Sequence, residues 1–563
     1  MNGKTARLLA TSIAIATTGC SQNQAESPAS PFAAIDGYVA QSMEESGTPG
    51  LTLAVTTRDA LQHVGTYGYA DLKLREPVTE ETLFQIGSIS KSFTALGLLM
   101  LHDRGVLDLE KPLVDYLPWF DISSAFPPIS THHLLSHTAG IPGDRDDIAG
   151  SRYMAWALRQ QETAWAPGER FLYSNVGYQT LHVLLEDISG IDYATYVKRG
   201  ILDPLDMRHT NPAILLESRA AQAVGYIQPY DDRPAHRSRP LVEAPFFEYG
   251  MGDGSIQSTA ADMASYARLL LNRGQGPQGR LVSEEAFELF STPHIEQAQV
   301  SGTSGYGYGM GVRPEDDHRY LAHSGGMIGF SAYLLVDMTD GLGVVVMVNG
   351  PSGMVGIASY AMRVMQAVVE GSELPPIPEK GDPAPPENVP EYVGSFTTRS
   401  GDSLGFVESD DGLRLNHTDG AITLEPRGED VFYTPHPDFD RYAFWFGRDD
   451  DGSVVEVLHG SRWFVSERYQ GPTEYDSPIQ WESYPGRYRS HSPWFSYFEV
   501  ALIKGNLVVI SDGGEGIQLV PREAGVFQVG TELTPDLLRF QDVVDGQALR
   551  AEWSGHQFHR VGW

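Results

Sequence analysis

A serine at the start of a helix and a lysine one turn later can make an acyl-enzyme. The segment Gly87-Ser88-Ile89-Ser90-Lys91 offers that pair. Three residues apart on a helix, Ser88 and Lys91 share a face of its first turn. A serine hydroxyl is a poor nucleophile until a neighbouring base takes its proton. A lysine amine serves as that base only when burial or the positive end of a helix lowers its pKa from about 10.4 toward 7. The same helix start offers free backbone N–H groups to an oxyanion. Ser-x-x-Lys is common, usually as a helix cap followed by a surface lysine. Two features speak against that reading here. Lysine is scarce: Lys4, Lys73, Lys91, Lys111, Lys198, Lys380 and Lys504 are the only ones in 563 residues. Residues 89–104 also carry apolar side chains nearly all round (Ile89, Phe93, Leu96, Leu98, Leu99, Met100, Leu101), the pattern of a buried helix.

Two further motifs follow in the chain. Tyr173-Ser174-Asn175 closes the stretch Pro167-Gly168-Glu169-Arg170-Phe171-Leu172, and His323-Ser324-Gly325-Gly326 precedes an apolar strand at 330–336. The three motifs, in this order, resemble the serine β-lactamase and penicillin-binding-protein hydrolases, in the class C and DD-peptidase branch (peptidase S12 type). The blocks His133-Leu134-Leu135-Ser136-His137-Thr138-Ala139-Gly140 and Gly252-Asp253-Gly254-Ser255-Ile256-Gln257-Ser258-Thr259 support the likeness, which spans residues 31–371. The resemblance implies a nucleophile at Ser88 and a proton shared between Lys91 and Tyr173. It implies a substrate amide held by Asn175, and an oxyanion hole made by the N–H groups of Ser88 and Gly326. It places His323, Ser324 and Gly325 along the substrate, with no cofactor and no metal. His323 stands where many members carry Lys, so a permanent positive charge is missing; His-x-Gly is similar to the DD-peptidase and D-aminopeptidase variants. The implied substrates are amides or peptides with D-residues (D-aminopeptidase or DD-carboxypeptidase type). The alternatives are small esters, a class C-like β-lactamase activity, or a non-catalytic cell-wall or penicillin-binding sensor.

These residues need a scaffold. Strand-like runs at 51–57 and 62–69, and again at 330–336 and 342–348, predict two hairpins, with a closing helix over 355–369. Strands at both ends with helices between them predict an α+β domain: one antiparallel sheet flanked by helices, with a helical insertion. A Pro-rich linker covers 372–390. Beyond it a repeat is visible: Leu424-Glu425-Pro426-Arg427 matches Leu519-Val520-Pro521-Arg522, and Phe464 matches Phe558. Two copies rich in short strands, 391–470 and 481–563 joined by 471–480, predict two small antiparallel barrels. A hydrolase followed by two lipocalin-like barrels is similar in layout to D-aminopeptidases, where a barrel loop can narrow the active site. The aromatic run Trp494, Phe495, Tyr497, Phe498 reads as barrel core or sheet surface. Gly401-Asp402-Ser403-Leu404-Gly405 matches an esterase string but lacks the strand–turn–helix context, and reads as a hairpin turn. His132, His133 and His137 lack the His-Glu-x-x-His pattern of a zinc site.

Composition bounds the rest. Lys and Arg number 40 against 73 Asp and Glu, a net charge of −33, which repels nucleic acid. The acid is spread along the chain rather than gathered in a tail. Cys20 is the sole cysteine, so no disulfide forms within the chain and no thiolate metal site exists. It ends a stretch with a basic start (Lys4, Arg7) and a short apolar centre at 8–16, the pattern of a signal peptide over 1–20. Gly19-Cys20 resembles a bacterial lipoprotein processing site, although Thr17 stands where Leu is usual. The expectation is an exported, periplasmic protein tethered through 21–30, with lipid on Cys20 as its one membrane contact.

Overall fold

The long hairpins form the centre of a nine-stranded antiparallel sheet. In spatial order its strands are Ile295–Glu296, Gly305–Tyr306, Gly311–Glu315, His318–Met327, Phe330–Asp337, Leu342–Val348, Gly50–Thr57, Leu61–Asp71 and Glu76–Pro77. The structure is a computed structural model, and it describes residues 30–143, 149–296, 304–315, 317–379, 388–511 and 513–562. The signal segment 1–20 with Cys20, nearly all of the tether, and 380–387 of the linker lie outside the described residues.

The central strands are buried on both faces, which is why Leu342–Val348 reads as an unbroken apolar run. The two ends of the domain meet there, with Leu51 opposite Val348 and Thr57 opposite Leu342. Helices Pro31–Ser46 and Met354–Glu370 cover one face through Ile35, Val39, Ala358 and Ala361. The other face packs on Ala260–Leu271 and a larger helical core. At its centre runs Ser90–Asp103, whose residues from Ser90 to Leu101 are all buried. That helix cannot drift, because its sides are packed on every azimuth.

Both C-terminal repeats form barrels. In the second, eight strands from Gly486–Arg489 to His556–Val561 close completely, Arg487 pairing with Val561. The first is a nine-stranded sheet whose two end strands, Ile422–Thr423 and Glu425–Gly428, are consecutive in the chain. The sheet therefore curls round until it meets itself at Leu424. The repeated Leu-x-Pro-Arg has the same job twice, since a bulge follows Pro426 in one barrel and Pro521 in the other. Phe464 and Phe558 sit fully buried in the two cores. Ser403 begins the strand Ser403–Ser409 directly after a turn, so the esterase-like string is a hairpin.

An excursion of the catalytic domain at 231–239 grips both barrels. Arg233 donates to both oxygens of Asp440 at 2.9 Å, Arg239 to the same carboxylate at 3.2 Å, and His236 Nε2 lies 3.0 Å from Glu425. Asp231 accepts from Arg489 of the second barrel at 2.9 and 3.0 Å. Among the described residues, no helix is long and apolar enough to cross a membrane.

Candidate active site

Ser88 lies in the 3-10 turn Gly87–Ile89 that feeds the buried helix Ser90–Asp103. Gly87 permits the turn: its φ is +49°, and a Cβ there would stand 2.6 Å from the Gly326 nitrogen. Gly325 is needed for the same approach, because a Cβ would fall 1.8 Å from the Ile86 carbonyl oxygen. Paired glycines thus bring the helix start and the strand His318–Met327 back to back. Gly326 itself is exposed, with open space beside it.

Lys91 is fully buried. Its Nζ donates to Ser88 Oγ at 3.0 Å, Asn175 Oδ1 at 2.7 Å and the Asp253 carbonyl at 2.9 Å. Three acceptors match the three hydrogens of an ammonium. Tyr173 lies against this group, its ring 4.8 Å from Nζ. Burial holds its phenol above the ordinary tyrosine value, with the Lys91 charge and hydrogen bonds to Lys91 and Ser88 pulling it part of the way back. Nucleophile, amine and phenol thus form one connected proton network.

Tyr173 and Asn175 are positioned by the start of the helix Asn175–Ser189. Ser174 is its cap, accepting from the Gly177 N–H at 3.2 Å. His137 locks the preceding loop: its carbonyl accepts from Leu172 N at 2.8 Å, and its Nδ1 accepts from Ser174 N at 3.0 Å. Its ring lies 4.3 Å from that of Tyr173. Burial, with Lys91 nearby, holds this imidazole well below the usual histidine range, so it is a neutral wall. His133 Nδ1 accepts from Ser130 N at 3.0 Å, and His132 Nδ1 meets the Tyr308 hydroxyl at 2.7 Å; both act in packing and capping.

His323 departs from the expectation of a substrate-binding side chain. It is 1% exposed, with Nδ1 on the Ser324 carbonyl at 2.6 Å and Nε2 on the Tyr306 hydroxyl at 3.1 Å. Burial, then the charge of Lys91, pushes it down to about 4. The position holds a neutral ring beneath the site instead of a cation facing it. Gly325 likewise serves by close packing on Ile86, while Ser324 is half-buried.

Two residues gain importance from the structure. Asp253 sits behind Lys91, 4% exposed, and its carboxyl accepts from the Tyr249 hydroxyl at 2.9 and 3.1 Å. Trp494 is the other, and it corrects the reading as barrel core or sheet surface. It leaves the second barrel on the turn between Gly486–Arg489 and Tyr497–Ile503 and packs on the catalytic domain. Its ring meets Phe247 edge-on at 5.1 Å and Tyr249 at 5.5 Å. Phe495 and Phe498 do line the barrel, against Phe558.

A buried helix presents Ser88 and Lys91 to Tyr173 and Asn175, beside a sheet strand with Gly325 and Gly326. The family model described as Beta-lactamase matches residues 35–368, and the chain belongs to that family. It is a serine hydrolase of the β-lactamase and penicillin-binding-protein group. It is similar to "Penicillin-binding protein 4*" of Bacillus subtilis (strain 168), 26% identical over 409 residues that cover 68% of this chain and 87% of that one. It is also similar to "Protein flp" of Staphylococcus aureus, 25% identical over 56% of this chain; it spans 62% of that relative's length. Among solved structures, the octameric penicillin-binding protein homologue from Pyrococcus abyssi superposes with a TM-score of 0.56 at 25% identity. That match covers 77% of this chain and 98% of the other.

Proposed function

We propose that the protein hydrolyses amides and peptides containing D-residues, in the manner of a D-aminopeptidase, through an acyl-enzyme on Ser88. Tyr173, its phenolate stabilised by the adjacent Lys91 ammonium, takes the Ser88 proton as the oxygen attacks the acyl carbon. The N–H groups of Ser88 and Gly326 receive the oxyanion, a contribution of about 3–4 kcal/mol in serine hydrolases. Tyr173 then protonates the leaving amine, and Asn175 holds the acyl side of the substrate. Water releases the acyl group by the reverse proton path.

The observation that carries this reading is the three-way contact of the buried Lys91 ammonium with Ser88, Asn175 and the Asp253 carbonyl. The neutral, buried His323 bears on substrate class. With no fixed cation at that position, a free terminal carboxylate gains little there. This favours amides, N-terminal D-residues and small esters over the DD-carboxypeptidase and β-lactam alternatives.

The test is a panel of D-amino-acid amides, D-Ala-D-Ala peptides, nitrophenyl esters and a chromogenic cephalosporin. D-amino-acid amides are expected to turn over fastest; faster cephalosporin hydrolysis overturns the substrate assignment, and acylation without turnover points to a sensor. Ser88→Ala is expected to abolish the intact-mass shift with a fluorophosphonate. Lys91→Ala and Tyr173→Phe each lose about 10²-fold or more in acylation, the scale of general acid–base groups. We further propose export, with lipid on Cys20. Cys20→Ser should then remove metabolic labelling by an acyl chain and release the protein from membranes.

A further inference from the structure

Asp253 is an expensive residue to place where it lies. A buried carboxylate is normally compensated by a guanidinium or ammonium in contact. Here the carboxyl contacts the Tyr249 hydroxyl and, at 3.4 Å, Gln179 Nε2. Burial pushes it up, and the nearest opposing charge is Lys91. Gln179 is itself fully buried, and its Oε1 has no partner. Fold stability does not call for such a group.

The backbone around Asp253 shows what it serves. Residues 251–255 make a tight turn in which Gly254 N and Ser255 N both donate to the Met251 carbonyl, at 3.2 and 3.1 Å. One flank is pinned by Gly252, whose N–H donates to His182 Nδ1 at 3.1 Å and whose carbonyl accepts from Thr94 at 2.6 Å. The other is pinned by Ile256 N on Ser90 Oγ at 3.1 Å. At the apex stands the Asp253 carbonyl that accepts from Lys91 Nζ. The side chain below it, held by Tyr249, fixes the place of the Cα from which that carbonyl projects.

We propose that Asp253 is a positioning residue for Lys91: its side chain, anchored by Tyr249 and Gln179, aims its own carbonyl at the amine. Tyr249 links that anchor to the second barrel, because its ring lies under Trp494. The inference rests on the acyl-enzyme reading above. Groups that also bear on this pocket are His137, His182, His323, Tyr173 and Tyr193, and the variants below leave all of them in place.

The test measures fluorophosphonate acylation rates of the full chain, with melting temperature as a control for folding. Asp253→Ala is expected to lose at least tenfold in acylation. Asp253→Asn keeps an oxygen for Tyr249 and, with the Gln179 amide turned over, offers an amide hydrogen to its Oε1, so it should stay within threefold of the parent. Tyr249→Phe, which removes one hydroxyl, should lose about fivefold. Rescue by Asn with loss in Ala is the signature of aim. Equal loss in both Asp253 variants overturns the proposal by assigning the role to charge. Parent-like rates in Asp253→Ala and Tyr249→Phe overturn it outright. If Asp253→Ala does not fold, Tyr249→Phe and Asp253→Asn decide the matter alone. Failure of the underlying reading looks different: Ser88→Ala would then still be labelled.

Discussion

The two barrels come from one repeated sequence but meet the catalytic domain in different ways. The first is held by charge: Arg233 and Arg239 converge on Asp440, whose side chain is 12% exposed. The second is held by one exposed ion pair and by an aromatic contact, Trp494 against Phe247 and Tyr249. The turns at equivalent places in the repeats carry the contrast. In the first barrel the turn before Ser403–Ser409 is exposed and bonded to itself, Thr398 N on the Asp402 carbonyl at 2.8 Å. In the second it carries Trp494 into contact with Tyr249, the anchor of Asp253. One copy has become a clasp, and the other has become part of the wall behind Lys91.

This division can be broken at either end. Asp440→Ala leaves the buried Arg239 without its carboxylate and Arg233 with Asp232 alone, a loss of at most about 3–5 kcal/mol, the cost of breaking a buried pair. The expected result is a large fall in the denaturant midpoint, with the acylation rate of the remaining folded protein near normal. A comparable fall in acylation would mean that the first barrel also shapes the site. Trp494→Ala is expected to reverse the pattern, losing about tenfold in acylation, equivalent to about 1.4 kcal/mol, with a smaller change in stability. Ser400→Ala, on the equivalent turn of the first barrel, should change neither quantity.

What the sequence revealed follows the same line. The closeness of Ser88 to Lys91 and of Tyr173 to Asn175 was legible because these relations are local: one helical turn, and one loop before a helix cap. The sheet was legible because its strands are apolar on both faces and its closing helix is periodic. The burial of His323 was not legible because a strand residue's partners depend on other strands of the sheet, here Tyr306 two strands away, whose hydroxyl occupies Nε2. Asp253 lies within the segment 252–259, but its place is set by Tyr249 and Gln179, which no spacing rule joins. Trp494 was hardest to place, since aromatic residues in a strand-rich repeat look alike until one of them leaves the barrel. The closure of the first barrel at Leu424 was equally hidden, because a single residue between two short strands resembles an ordinary strand break.

The smallest effect tests how little the ionic clasp of the second barrel matters. Asp231 and Arg489 are 46% and 31% exposed, and such pairs contribute about 0–1 kcal/mol. Burial pushes Asp231 up, but Arg489 and Ser496 outweigh it and hold the carboxyl below the ordinary aspartate value of 3.8. A carboxyl depressed in the folded state contributes stability that is present above its unfolded pKa and is lost as the pH falls through the folded one. Asp231→Asn should therefore be less stable than the parent by under about 1 kcal/mol near neutrality, with the gap closing only below about pH 4. Urea midpoints at pH 7 and pH 3 measure this directly. A gap that widened toward acid would show that the carboxylate is not what Arg489 holds. If acylation fell in Asp231→Asn as far as in Trp494→Ala, the aromatic contact would be seated by the ion pair, and the second barrel would need its charge as much as the first.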